Sequence, residues 1–336
     1  MSGIRTLPGV QHARILGIGS YRASRVIPNS EVVDAIDSSD EWIQQRSGIK
    51  TRRWAAPDES VQSMSVGAAR QAIDRAGISP DQIDCVIVAT VSHLLQTPAI
   101  ATAIAHDLGT KGAAFDISAA CSGFCHGIEL GASLVRAATA NHVLVIGVER
   151  LSDLTDLYDR GTAFIFSDGA GAAVIGTGDS EGVGPVVWGS DGEQYDLIRQ
   201  REDWRDVVGT PHAPGSGVMP HLVMQGNAVF RWASFSMGRI AHQALERAGI
   251  SAAELDLFVP HQANMRIIDA MARSMKLPDH VRIARDVADQ GNASAASIPL
   301  ALDRMMVEGQ ARSGEIALLI AFGAGLAYAA QVVVVP

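Results

Sequence analysis

Apolar positions along this chain fall into short runs broken by Gly, Ser and Asp. IDCVIVAT (83–90) is one such run, and LDLFVP (255–260) is another. Runs of this length, bounded by turn residues, predict strands buried on both faces. Between them lie segments with helical spacing, such as the stretch after FDISAACSGF (115–124) and MRIIDAMARSM (265–275). Strands alternating with helices predict an α/β fold. The apolar stretch IALLIAFGAGLAYAAQVVVV (316–335) is long enough to resemble a membrane span. Its central GAG and β-branched end instead predict two buried strands joined by a Gly turn.

The pattern repeats. AIDRAGISPDQIDCVIV (72–88) matches ALERAGISAAELDLFVP (244–260) at a constant offset of 172, with Ala, Arg, Ala, Gly, Ile, Ser and Asp identical. Each copy reads as the last turns of a helix, a Gly cap, a loop and a buried strand. A second echo, FSDGAGAAVIG (166–176) against AFGAGLAYAAQV (321–332), predicts a GAG turn leading into a strand in each half. The reading is a duplicated α/β unit, residues 1–180 and 181–336, meeting at the loop-like GDSEGVGP (178–185).

Composition narrows the function. At 336 residues with 47% apolar content, the chain can bury a sizeable core. Its net charge of −9 argues against nucleic acid as a partner. MSGIRTLPGVQHARILGIG carries no signal-peptide pattern. The three cysteines, Cys85, Cys121 and Cys125, suit a reducing cytoplasm and form no disulfide framework. Cys85 reads as core. Cys125 reads as packing beneath Cys121, because no second Cys/His pair accompanies them as metal ligands.

Cys121 carries the chemistry. It follows a predicted strand over Phe115–Ser118 and stands at a helix start, where a thiolate is favoured. His261 ends a predicted strand, Leu257–Pro260. Asn292 lies in the loop DQGNASAAS, after a predicted strand over Val281–Arg285. All three stand at carboxyl ends of strands, where open α/β sheets bind ligands. A His after a strand and an Asn beside Gly are often structural; together with the cysteine they point to acyl transfer through a thioester.

These residues resemble β-ketoacyl-acyl carrier protein synthase III of actinobacterial type, a condensing enzyme of the thiolase fold. The likeness covers nearly the whole chain and rests on SSDEWIQQRSGIKTRRWA (38–55), SAACSGF, DRGTAFIFSDGAGAAVIG, VFRWA, VPHQANMRI, GNASAASIPLAL and FGAGLAYAAQV. It implies a layered α-β-α-β-α fold, a homodimer in the cytoplasm, and no metal or organic cofactor. It implies Cys121, His261 and Asn292 as the catalytic triad, with the backbone N–H groups of Cys121 and Ala324 as an oxyanion hole. Trp42 and Arg46 match positions that contact the adenine end of coenzyme A. Arg160, Gly226, Phe230, Ala263, Asn264 and Arg266 match others along the channel. Thr97, in HLLQTPAIA (93–101), matches the acyl pocket across the dimer interface. The implied reaction takes an acyl group from acyl-CoA onto Cys121 and condenses it with malonyl-acyl carrier protein, starting fatty acid synthesis.

Two departures bear on the primer. Ala120 stands where some members have Gly, and Ala293 stands where Thr is common. Acetyl, a branched short acyl group and a polyketide starter all stay open. Three other readings also stay open: a papain-like hydrolase, a non-enzymatic partner subunit, and a relative that passes the acyl group to an alcohol or amine. Arg266, Arg273 and Lys276 place basic charge along one helix of an acidic chain. That face reads either as solvated surface or as a dock for an acidic carrier protein. No membrane partner is expected.

Overall fold

A computed structural model describes residues 8, 9, 12–210 and 212–336. Of the N-terminal stretch read for a leader, residues 1–7, 10 and 11 lie outside the described residues. Ten strands form two five-stranded sheets. The first holds β1 (Ala13–Arg22), β2 (Cys85–Ala89), β3 (Ala113–Ile117), β4 (His142–Arg150) and β5 (Asp168–Thr177). The second holds β6 (Val187–Ser190), β7 (Leu257–Pro260), β8 (Arg282–Ile283), β9 (Ile316–Gly323) and β10 (Ala327–Val334). The orders are β1-β5-β4-β2-β3 and β6-β10-β9-β7-β8. Parallel pairs join β4 to β2 and β2 to β3, and likewise β9 to β7 and β7 to β8; the other neighbours are antiparallel. The two sheets therefore share one topology, and the fold is internally duplicated.

The repeated sequence builds the same corner twice. α2 (Val61–Ala76) ends at Gly77 with φ +68°, and α5 (Gly226–Ala248) ends at Gly249 with φ +72°. Both caps need the left-handed backbone that glycine adopts without strain. Each is followed by a short turn closed by a capping box, Ser79 with Gln82 and Ser251 with Glu254. Then β2 or β7 begins.

Side chains alternate across each strand and sort into layers. Ile87, Val145 and Ile175 from the first sheet, with Val259, Leu319 and Ala321 from the second, enclose two helices. These are α4 (Gly123–Arg136) and α7 (Ser297–Val307). Val86, Val88 and Ile146 face outward onto α2 and α3 (Ile100–Leu108). Phe258, Leu318 and Ile320 face outward onto α5 and α6 (Met265–Met275). The result is the five-layer α-β-α-β-α arrangement.

Several local expectations change. The apolar stretch near the C-terminus is the β9–β10 hairpin, turned by Ala324–Leu326. Among the described residues, no helix is long and apolar enough to cross a membrane. Gly169–Gly171 run inside β5 and form no turn, so the second echo joins a strand to a hairpin corner. The strand expected over Val281–Arg285 shortens to Arg282–Ile283, because β8 is an edge that pairs only with β7. Cys85 and Cys125 are buried, as their apolar neighbours predict.

One contact joins the sheets where the chemistry will lie. A Cβ at Gly323, the last residue of β9, would sit 2.6 Å from the Cys121 nitrogen. Gly323→Ala should therefore displace the cysteine turn. A shift of about 1 Å there should slow acylation of Cys121 by roughly 10²-fold, read as acyl-enzyme formation by intact-protein mass spectrometry.

Candidate active site

Two middle-layer helices begin at the same place. A turn over Ala120–Ser122 leads into α4, and a turn over Ser294–Ala296 leads into α7. Ala120 has φ +44° and Ser294 has φ +46°, left-handed values that cost L-residues energy and persist only where packing enforces them. Cys121 follows the first of these strained residues. Ser294 lines the same cavity wall beside it, and its side chain favours the ionised thiol.

His261 continues β7 by one residue, on the face of Leu257 and Val259, and so points into the middle layer. Its N–H donates to the Ile320 carbonyl at 2.8 Å. Its Nδ1 lies 2.7 Å from Ser297 Oγ, and its ring meets Phe322 edge-on at 6.0 Å between centroids. Asn292 is fixed by its backbone, which donates to the Ile165 carbonyl and accepts from Ser167, both at 2.9 Å. Its Oδ1 accepts the Ser294 N–H at 2.8 Å. The amide oxygen is thus occupied, and the NH₂ group is the part left for the cavity.

Burial controls the charges. It pushes the Cys121 thiol from 9.0 up to about 12, with the Ser294 hydrogen bond working the other way. This corrects the expectation that the helix start holds a thiolate: loss of water outweighs the helix field. Burial alone drives His261 down to about 3, so its imidazole is neutral across physiological pH.

Cys121 lies at the junction of two cavities. The first, about 420 Å³, is lined by Trp42, Arg46, Arg160, Phe230, His261 and Asn292, among others. Gly226, Ala263, Asn264 and Arg266 line it too. Trp42 packs edge-on against Phe164 at 5.5 Å. The guanidinium groups of Arg46 and Arg160 lie 5.5 and 5.0 Å from the Trp42 ring centroid, and that of Arg266 lies 4.9 Å from Phe230. The second cavity, about 630 Å³, is lined by Thr90, Leu95, Gln96, Ser118, Tyr195 and Ala324, among others.

The HQAN motif divides its work. His261 faces the cavity. Gln262 donates to the Pro260 carbonyl at 2.7 Å and accepts from the Val287 N–H at 3.1 Å, bracing the neighbouring loop. Asn264 caps α6 by accepting the Arg266 N–H at 2.9 Å, and ties α6 to α1 (Asp40–Ser47) through the Arg46 carbonyl at 3.0 Å. Asn264 therefore shapes the channel as well as lining it.

Some predicted residues lie outside both cavities. Thr97 is exposed and lines neither cavity within this chain; the same loop contributes Leu95 and Gln96. Arg266 and Arg273 are exposed on α6, and Lys276, also exposed, is its C-cap with φ +52°. Among the described residues, no cluster of three His, Cys, Asp or Glu is arranged to hold a metal. Residues that sequence reading missed are Ser294, Ser297, Phe322 and the buried Glu149. SAAS (294–297), which begins two residues after Asn292, held the only signal for the two serines.

A cysteine heading a middle-layer helix, with a neutral imidazole and an amide donor on the adjoining channel, defines a thiolase-fold acyltransferase. The two family models of 3-oxoacyl-[acyl-carrier-protein] synthase III match residues 115–192 and, for the C-terminal part, 245–335. A β-ketoacyl-[acyl-carrier-protein] synthase III of Streptomyces coelicolor is 55% identical over the whole of both chains. A mycobacterial one from Mycobacterium avium is 50% identical over 100% of this chain and 99% of its own. Among solved structures, a priming β-ketosynthase of a polyketide biosynthetic pathway aligns with a TM-score of 0.95 at 46% identity, covering 100% of this chain and 99% of that one. The Pseudomonas aeruginosa synthase III aligns with a TM-score of 0.87 at 35% identity, covering 97% and 100%. This chain belongs to the β-ketoacyl-acyl carrier protein synthase III family and is an acyltransferase. That membership removes the papain-like alternative.

Proposed function

We propose that this enzyme condenses an acyl-CoA primer with malonyl-acyl carrier protein, with loss of CO₂, through an acyl group carried on Cys121. The observation that carries the reading is the junction position of Cys121. One cavity offers aromatic and cationic side chains for a nucleotide and its phosphates, and the other, walled in part by Val91, Leu95, Leu151 and Leu154, has room for an acyl chain.

The acyl-CoA arm would lie in the first cavity, with its adenine beside Trp42 and its phosphates near Arg46, Arg160 and Arg266. Cys121 Sγ attacks the thioester carbonyl. The N–H groups of Cys121 and Ala324 receive the oxyanion, and the tight Gly323–Cys121 approach supports this pairing. CoA leaves, and the malonyl-thioester takes its place. His261 and Asn292 then donate to its carbonyl, which becomes enolate-like as CO₂ departs. Ser297 Oγ accepts the Gln262 N–H at 3.3 Å and is set to donate to His261 Nδ1 at 2.7 Å. That leaves the imidazole proton on Nε2, as a donor needs. The enolate carbon attacks acyl-Cys121 and frees the thiolate.

We place the boundary between the duplicated halves near residue 180, and the enzyme as a cytoplasmic homodimer. The edge strand β3 supports the dimer: Phe115 stays 39% exposed on it, and Leu94 and Leu95 are exposed nearby. Thr97 would then reach a partner's acyl pocket. The likeness to a priming ketosynthase favours a second reading, in which the primer is a polyketide starter unit. Competition among acyl-CoA primers for Cys121 separates the two.

The two half-reactions should part on mutation. Cys121→Ala should abolish labelling by acyl-CoA yet still release CO₂ from malonyl-carrier protein. Asn292→Ala should still be acylated, while condensation falls about 10²–10³-fold, the usual cost of one oxyanion donor. His261→Ala should also cut decarboxylation. Mass spectrometry of the acyl-enzyme and a CO₂ assay read these; a folded Asn292→Ala protein that cannot be acylated would place Asn292 in the other half-reaction.

Carrier-protein docking on α6 gives a separate test. Arg273→Glu should raise KM for malonyl-carrier protein and leave acylation by acyl-CoA nearly unchanged, with the difference shrinking as salt rises. Equal loss with both substrates would count against the dock.

A further inference from the structure

The reaction as drawn lacks one participant: an acceptor for the Cys121 thiol proton. His261 cannot serve while its own proton sits on Nε2 to face a carbonyl. Burial holds the thiol protonated, so the proton must leave as the acyl group arrives.

Glu149 stands behind the cysteine. It is fully buried, next to last in β4. Its Oε2 accepts from Ser92 Oγ at 2.6 Å, from the Val91 N–H at 3.1 Å and from Thr90 Oγ1 at 3.2 Å. Its Oε1 accepts from Ser294 Oγ at 3.0 Å. The adjacent cation turns away: Arg150 pairs with Asp153 at 3.2 Å and donates to the Glu59 carbonyl at 2.8 Å. Hydroxyls, one N–H and the neighbouring thiol are thus the groups that face this carboxylate. Burying a carboxylate without a cation costs several kcal/mol, and an apolar residue would avoid that cost. Such a group beside a nucleophile is a candidate for function.

Ser294 links the two. A serine hydroxyl has one hydrogen to give and two lone pairs with which to accept. Its hydrogen goes to Glu149 Oε1 at rest, which leaves a lone pair open to the Cys121 S–H; once the sulfur ionises the hydroxyl donates to it instead, the sense in which Ser294 favours the thiolate. The order of groups is thus thiol, hydroxyl, carboxylate.

We propose that Glu149, acting through the Ser294 hydroxyl, takes the Cys121 thiol proton during acylation and returns it after condensation. The inference rests on Cys121 being the nucleophile. The thiol proton moves to Ser294 Oγ as the serine's own proton moves to Glu149 Oε1. The sulfur lone pair forms the bond to the acyl carbon, and the C–S bond to CoA breaks. CoA leaves as a thiolate and takes a proton from water. Glu149 stays neutral while the acyl-enzyme waits. Condensation breaks the acyl–Cys121 bond and releases the cysteine thiolate. The stored proton returns through Ser294, and Glu149 is ionised again. The cycle consumes one solvent proton, the one on CoA. In keeping with this role, burial lifts the Glu149 carboxyl from 4.5 to about 7, where both of its states are accessible.

The test is the single-turnover rate of Cys121 acylation by acyl-CoA, measured by quenched mass spectrometry between about pH 6 and 9. General-base help is worth about 10²-fold or more. Glu149→Gln keeps the shape and loses the proton acceptor; Ser294→Ala keeps the carboxylate and removes the bridge. Each should slow acylation about 10²-fold near neutrality, with the loss shrinking as pH rises and hydroxide takes over. Glu149→Asp should recover part of the rate. An unchanged rate, or a loss equal at every pH, would overturn the relay and leave Cys121 as nucleophile. A wild-type protein that is never acylated would overturn the nucleophile and the relay together.

Discussion

The site depends on how closely two backbones approach in the middle layer. Gly323 ends β9 against the Cys121 nitrogen, and a Cβ at Gly147 would stand 2.3 Å from the Ala295 carbonyl oxygen. No larger residue fits either place without moving backbone. These contacts press the two helix starts together, one carrying Cys121 and the other Asn292, Ser294 and Ser297. His261 enters from the second sheet by the ordinary alternation of β7. Every group proposed for the chemistry is therefore held by rigid elements, with the cavity walls added around them.

The same packing sets the electrostatics. A thiol raised from 9.0 to about 12 is disfavoured as thiolate by about 4 kcal/mol, at about 1.4 kcal/mol per tenfold. A helix N-terminus returns at most about 2 kcal/mol. Desolvation wins, and Cys121 rests as a thiol beside a neutral imidazole. That state suits a site that must admit bulky thioesters and keep water from an acyl intermediate. It also explains why hydrogen-bond donors with fixed orientation matter more here than fixed charges.

Much of this was legible in the sequence, for identifiable reasons. The repeat of helix, Gly cap and strand survived because both copies need a left-handed glycine and a capping turn, and few residues supply either. Cys121, His261 and Asn292 stood out because each follows a strand and sits among small residues. The equivalence of the two helix starts was hidden. Ala119–Ser122 and Ala293–Ala296 adopt the same strained turn, yet share too little sequence to align by eye. Glu149 was hidden as well, since one acid at the end of an apolar run reads as the strand meeting solvent. Only the fold shows that this end is interior. The left-handed cap at Lys276 was hidden for a related reason: spacing does not encode it.

The most direct test of the account is peptide-level mass spectrometry of the wild-type enzyme after exposure to acyl-CoA alone, and again after malonyl-carrier protein is added. The account predicts an acyl group on the peptide that holds Cys121 and on no other, cleared when the second substrate arrives, with CO₂ released. An acyl group on a different residue, or product formed at full rate with Cys121 never labelled, would contradict it.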